Sequence, residues 1–302
     1  MNREPVIVIL AAGMGSRYGG LKQIDTVGSN GESIIDFTIY DAIAAGFKKL
    51  VLIIRKEHEE AFEKVLVSKI RKKIEVEYAY QDLNDIPSGY QIDSEREKPW
   101  GTTHALLTCR KIVDSPFMIC NADDYYGPEA FKIMYEFLLN EANDHNYCMV
   151  GWKLINTLTD FGTVTRGVCQ TDNNLLNDIV EIQKIKKSND TPMYEVDDSW
   201  QPLENDALTS MNFWGFTPSI FKLCEKVFKD FLDRELAQNP KKCEHVIPTA
   251  VKELLPSNEF KLNVFASNDA WFGVTYKEDK PSVVENLENY KKMGKYPFDL
   301  WS

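Results

Sequence analysis

Two cations, Arg17 and Lys22, stand in a stretch that is otherwise small and apolar, Ile7-Val8-Ile9-Leu10-Ala11-Ala12-Gly13-Met14-Gly15-Ser16-Arg17-Tyr18-Gly19-Gly20-Leu21-Lys22-Gln23. The glycines at 13, 15, 19 and 20 remove Cβ atoms that would keep main-chain N–H groups from converging on an anion. Such a loop can wrap phosphates and the cations can neutralise them. Neither common phosphate motif fits: Tyr18 replaces the third glycine of the dinucleotide fingerprint, and no Gly-Lys-Ser/Thr occurs. A second group is Asn121-Ala122-Asp123-Asp124, directly after the apolar run 117–120. Carboxylates there suit Mg²⁺, a hard ion that prefers oxygen, and they equally suit a helix cap. A third is Gln81, after Tyr80. Its amide can donate and accept at once, as the N3–H and carbonyl of uracil or thymine require, or it can simply end a strand in solvent.

The elements around these residues alternate as in a parallel α/β sheet. Strands are expected at 6–11, 51–54, 74–80, 117–120 and 148–152, with helices at 34–45, 57–72, 102–112 and 128–140 between them. Helices of this length imply right-handed crossovers, both sheet faces covered, and ligands beyond the carboxyl ends of the strands. From 163 to 217 short β-like runs (163–169, 178–182, 210–216) are separated by polar loops, which reads as a smaller mixed region. Ile220, Cys224, Val227, Phe228 and Phe231 fall at helical spacing, so 218–236 is expected to be an amphipathic helix facing the core. Further helices at 244–255 and 281–293 flank a strand at 260–266.

Composition narrows the partners. A net charge of −11 over 302 residues argues against broad contact with nucleic acid or an anionic membrane, so cations for a phosphate ligand must be local. Six cysteines show no C-x-x-C or zinc spacing and read as reduced thiols of a cytoplasmic protein. The start of the chain has no signal-peptide character, and no span of about 20 apolar residues follows. The expected organisation is a single domain over 1–302: a nucleotide-binding half at about 1–145, an acceptor-binding part at about 146–275 and a C-terminal helix at about 280–294.

The run Leu10-Ala11-Ala12-Gly13-Met14-Gly15-Ser16-Arg17 with Lys22 resembles the signature of the nucleotidyltransferases that make nucleoside-diphosphate sugars. The resemblance implies a GT-A-like fold, an α/β architecture whose mostly parallel, Rossmann-like sheet carries helices on both faces and a smaller mixed acceptor-binding subdomain. It implies that Leu10, Ala11, Ala12, Gly13, Gly15 and Ser16 surround the nucleotide. Arg17 would hold the departing β and γ phosphates, Lys22 would neutralise the α-phosphoryl group, and Asp123, in an Ala-Asp pair, would hold Mg²⁺. Gln81 matches a glutamine that reads a pyrimidine edge. Pro99-Trp100-Gly101-Thr102-Thr103-His104-Ala105 resembles a Gly-Thr-x-x-Ala turn in which Gly101 and Thr102 approach the base. His104, at a helix start, is expected to be exposed. The long polar stretch 82–98 departs from the family and reads as a mobile or oligomer-contacting flap, so a homo-oligomer is one expectation.

On the acceptor side, Asp160-Phe161-Gly162-Thr163-Val164 resembles a Tyr-Gly-x-Val segment, Ile179-Val180-Glu181 with Lys184 a Val-x-Glu-x-Lys segment, and Met211-Asn212-Phe213-Trp214-Gly215 an Asn-x-Gly strand. Gly162, Glu181 and Asn212 would then meet acceptor hydroxyls, and Lys184 its phosphate. Trp214 reads as core. The family's second metal carboxylate has no counterpart: Gly273 or Thr275 holds its place, and Asp279 or Asp269 could supply the ligand from a shifted position.

The expected function is condensation of a nucleoside triphosphate, UTP or dTTP, with a phosphorylated small-molecule acceptor, a sugar 1-phosphate, giving an NDP-sugar and pyrophosphate. The alternatives are a cytidylyltransferase for a non-sugar phosphate such as phosphocholine or an isoprenoid precursor, and a non-catalytic regulator of the same fold. A nicotinamide oxidoreductase is disfavoured by Tyr18 and by the two cations.

Overall fold

Val6–Leu10 (β1) turns Val6 and Val8 into one apolar cluster and Ile7 and Ile9 into another, so this strand must be covered on both faces. The fold is that of a computed structural model, which describes residues 4–13, 21–159, 162–274 and 277–302. After β1 the chain forms α1 (Ile34–Ala45), opened by the Ser33 N–H donating to the Asp36 carboxylate at 2.8 Å, and then β2 (Lys49–Ile54). The helix expected at 57–72 is segmented: α2 (Glu59–Phe62), a π turn (Glu63–Val67) and α3 (Ser68–Ile70). Next come β3 (Glu75–Tyr80) and α4 (Thr102–Leu107). Helix α4 is shorter than the spacing predicts, because Thr108 turns its hydroxyl back onto the Ala105 carbonyl at 2.6 Å. There follow β4 (Phe117–Asn121), β5 (Asp124–Tyr125), α5 (Pro128–Asn140) and β6 (Asn146–Lys153).

A meander of β7 (Val164–Asp172), β8 (Leu175–Ser188), β9 (Thr191–Val196) and β10 (Ser199–Pro202) then leads to β11 (Leu208–Phe216). Helices α6 (Ser219–Glu235) and α7 (Ile247–Leu254), strands β12 (Lys261–Ala266) and β13 (Phe272–Gly273), and α8 (Lys280–Lys292) complete the chain. The main sheet has eleven strands in the order β10-β9-β8-β12-β6-β11-β4-β1-β2-β3, with β7 against β11 and β8. The part built from β4-β1-β2-β3 is all parallel, as expected. Antiparallel β11 and the β7–β10 meander form the mixed part.

Register fixes what shares an edge. Leu10 pairs with Asn121 and Ile54 with Tyr80, so the loop after β1, Asp123 and Gln81 all leave the same carboxyl edge. Helices α4, α6 and α7 cover one face and α1, α2, α3 and α5 the other. Lys291 of α8 makes a buried ion pair at 2.6 Å with Glu32, just before α1, and the Trp301 indole, beyond α8, donates to Asp36 of α1 at 2.7 Å. The six cysteines are buried and free, and Trp214 is core. Among the described residues, no helix is long and apolar enough to cross a membrane.

Candidate active site

Lys22 opens a short 3₁₀ turn after the glycine-rich loop, and its ammonium makes an ion pair with the carboxylate of Asp123. Neighbouring parallel strands deliver the two groups, β1 the lysine's loop and β4 the aspartate. Arg17, Gly15 and Ser16 lie outside the described residues. A cleft of about 340 Å³ opens on this pair, lined by Leu10, Ala12, Gly13, Lys22, Gln81, Gly101, Thr102, Asn121 and Asp123 among others. Ala11 is fully buried beneath it. Gln23, which sequence reasoning passed over, donates its amide to the Gly13 carbonyl at 2.8 Å and pins the start of the loop. Lys98 and Glu244, also in the lining, pair at 2.5 Å.

Gln81 is held in one orientation. Its Nε2 reaches the Gly101 carbonyl at 3.3 Å and His104 Nδ1 at 3.1 Å, while His104 Nε2 donates to the Asp85 carbonyl at 2.9 Å. A carbonyl only accepts, so the amide nitrogen must face Gly101, and Oε1 is the amide atom left out of these two bonds. His104 is buried rather than exposed, and burial holds its pKa below the ordinary value, which keeps Nδ1 free to accept. Gly101 has φ +97°, and a Cβ there would lie 2.4 Å from the His245 carbonyl. Its bare backbone therefore admits the His245 loop. Segment 82–98 is anchored: Arg96 is buried, lies 3.4 Å over the Trp100 ring and donates to the carbonyls of Pro240 and Cys243, while the Trp100 indole donates to Leu83.

A second cleft of about 360 Å³ adjoins the first and shares Thr102, Asn121, Asp123 and Val246 with it. It adds Asp124, Arg166, Glu181, Asn212 and Trp271. Asn212, at φ +63°, takes part in a chain of bonds: Trp214 Nε1 donates to its Oδ1 (3.0 Å), its Nδ2 to Asn121 Oδ1 (2.9 Å), and Asn121 Nδ2 to Asp124 (2.8 Å). It thus holds Asp124 beside Asn121. Gly162, at φ +80°, and Lys184 are outside the lining of both clefts. The register of β8 against β7 shifts between the pairs Val164–Ile185 and Arg166–Ile182, and Lys184 sits in that bulge at φ +52°. It pairs there with Glu195 at 2.5 Å.

Asp279 lies at the start of α8, outside both linings. Asp269 is engaged elsewhere, accepting from the Glu129 N–H at 2.7 Å and pairing with Lys295 at 2.8 Å. The carboxylate at Gly273 is that of Asp124, because β13 pairs with β5 and places Gly273 opposite it. A Cβ on Gly273 would come within 2.4 Å of Asp124 Oδ1. Burial first, and the charge of Asp123 second, push the Asp124 pKa up to about 7. The donors at this seam are all oxygens and already hold a cation, the Lys22 ammonium, so they fit a hard divalent ion. Among the described residues no three His, Cys, Asp or Glu side chains are grouped to hold a metal, so such an ion would need phosphate or water oxygens as well.

Two polar clefts meet at a Lys–Asp pair on the carboxyl edge of a parallel sheet and together form the candidate site. Residues 6–274 match the family model described as nucleotidyl transferase, and the chain belongs to that family of enzymes. In fold it is similar to the inositol-1-phosphate CTP transferase from T. maritima, with a TM-score of 0.62, 13% identity, and 95% of this chain and 96% of that one covered. It is also similar to a UDP-glucose pyrophosphorylase complexed with UDP-glucose, with a TM-score of 0.58, 16% identity, and 94% and 98% covered. No curated protein sequence matches it significantly.

Proposed function

We propose that the chain joins UTP or dTTP to a sugar 1-phosphate and releases pyrophosphate, with the nucleotide in the first cleft and the acceptor in the second. The observation that carries this reading is the seam: Asp123 and Asn121 line both clefts, and Lys22 is paired to Asp123 there. An acceptor phosphate oxygen attacks the α-phosphorus as the bond to the pyrophosphate oxygen breaks. That exchange needs alignment and charge neutralisation rather than a covalent intermediate. Lys22 turns from Asp123 to the α-phosphoryl group, Arg17 holds the departing phosphates, and Gln81 Oε1 accepts from the base. Glu181 accepts from acceptor hydroxyls. A Mg²⁺ held by Asp123, with Asp124 alongside, would supply further neutralisation at the α-phosphate.

A second reading, CTP with a non-sugar phosphate, is favoured by the same amide: a lone carbonyl acceptor also suits the cytosine amino group. Pyrophosphate release from UTP, dTTP, CTP, ATP and GTP, each with glucose 1-phosphate, inositol 1-phosphate and phosphocholine, separates the two. Release confined to UTP or dTTP with the sugar phosphate is expected. Preference for CTP selects the second reading, and no release with any pair overturns both.

A further inference from the structure

Four charged side chains among the described residues line the acceptor cleft, and three of them, Asp123, Asp124 and Glu181, are acids. The fourth is Arg166 on β7, one pair along from the Gly167–Glu181 pair of β7 and β8. Its guanidinium is fixed from behind: Nη2 donates to the Thr157 carbonyl at 2.6 Å, Nε to the Thr157 hydroxyl at 3.3 Å and Nη1 to the Thr165 carbonyl at 3.0 Å. The Trp271 ring lies 5.0 Å away. All three partners are neutral, and no ion pair of Arg166 with a carboxylate occurs among the described residues. Of five N–H donors three are taken, which leaves one on each terminal nitrogen, a pair suited to two oxygens of one anion. The Asp124 carboxylate acts on this half-buried guanidinium through its charge without forming an ion pair with it, so the two free N–H donors remain for an incoming anion. Lys184, the cation the sequence offered for this role, is paired with Glu195.

We propose that Arg166 binds the acceptor's phosphate, so that the second cleft takes a phosphomonoester with a small polyhydroxyl body, its anionic head on Arg166 and its hydroxyls toward Glu181. The assignment rests on the transfer reaction proposed above. It forecasts that the phosphate group, not the body, dominates acceptor affinity.

The test compares the wild-type chain with Arg166→Lys and Arg166→Gln in steady-state pyrophosphate release, varying UTP and glucose 1-phosphate separately, and follows inorganic phosphate binding by calorimetry. For Arg166→Gln the acceptor KM should rise about 20-fold or more while the UTP KM stays within about twofold, with Arg166→Lys between. Phosphate should bind the wild type and not Arg166→Gln. An unchanged UTP KM shows that the variant is folded. An unchanged acceptor KM, or equal phosphate binding by wild type and Arg166→Gln, overturns the assignment alone. Failure of the wild type to transfer to any phosphorylated acceptor overturns the reaction and the assignment with it.

Discussion

The side-chain amide nitrogen of Gln81 lies 3.1 Å from Nδ1 of His104, a buried histidine whose other ring nitrogen donates to a backbone carbonyl. One histidine tautomer thereby sets which end of the glutamine faces the cleft. His104→Phe keeps a ring against Phe228, now 5.5 Å away, but removes the acceptor that holds the amide. The KM for the preferred triphosphate should rise about 5-fold, near the net worth of one hydrogen bond, with kcat little changed. Discrimination between UTP and CTP, read by competition between the two, should fall. An unaltered discrimination ratio would show that His104 has no part in base choice.

Gly101, in the lining of the first cleft, lets its bare backbone pack against the loop before α7. Gly101→Ala asks for φ +97° from a residue with a Cβ and puts that atom 2.4 Å from the His245 carbonyl. The expected cost is on the order of 3 kcal/mol in urea denaturation, with weaker triphosphate binding. A variant as stable as the wild type would mean the His245 loop moves aside freely.

Asp41 gives the fold a pH-sensitive contact behind the site, joined through Tyr296 to Tyr125. Its buried carboxyl accepts from the Tyr296 hydroxyl at 2.7 Å, and burial is the main cause that pushes its pKa from 3.8 up to about 8. Between about pH 4 and 8 the folded chain keeps a proton that the unfolded chain has released, so this group's contribution to stability falls as pH rises through that window and levels off above it. Asp41→Asn mimics the protonated acid. The difference in Tm, variant minus wild type, should start within about 3 °C of zero at pH 5 and grow in the variant's favour toward pH 9. A difference that is flat across pH would rule out the shifted carboxyl.

The seam was legible because its two halves each follow an apolar run, and the two runs pair as β1 and β4. Small residues and glycines at 11–20, Lys22 and the acid pair at 123–124 must then leave one sheet edge. Gln81 was legible for the same reason. Arg166 was not: in Thr-Val-Thr-Arg-Gly-Val a lone arginine in an alternating strand reads as a solvent-facing charge, and only the placement of Trp271 and Thr157 around it shows otherwise. The placement of Lys184 was not legible either, since the bulge at which it pairs with Glu195 leaves no mark in the local pattern. His104 looked exposed because nothing near it in sequence shows that residues 82–86 pack over it. What the sequence did not show is the fit of Asp124 to Gly273, which depends on the short β5–β13 pairing of two distant segments.

The central claim is that Lys22, now against Asp123, acts on the α-phosphoryl group when two substrates meet at the seam. The direct measurement is kcat for pyrophosphate release by Lys22→Ala at saturating substrates, with circular dichroism and Tm as folding controls. A fall of about 100-fold or more, with Tm within about 3 °C of the wild type, is the predicted result. Turnover within about twofold of the wild type by a folded Lys22→Ala chain would contradict the account.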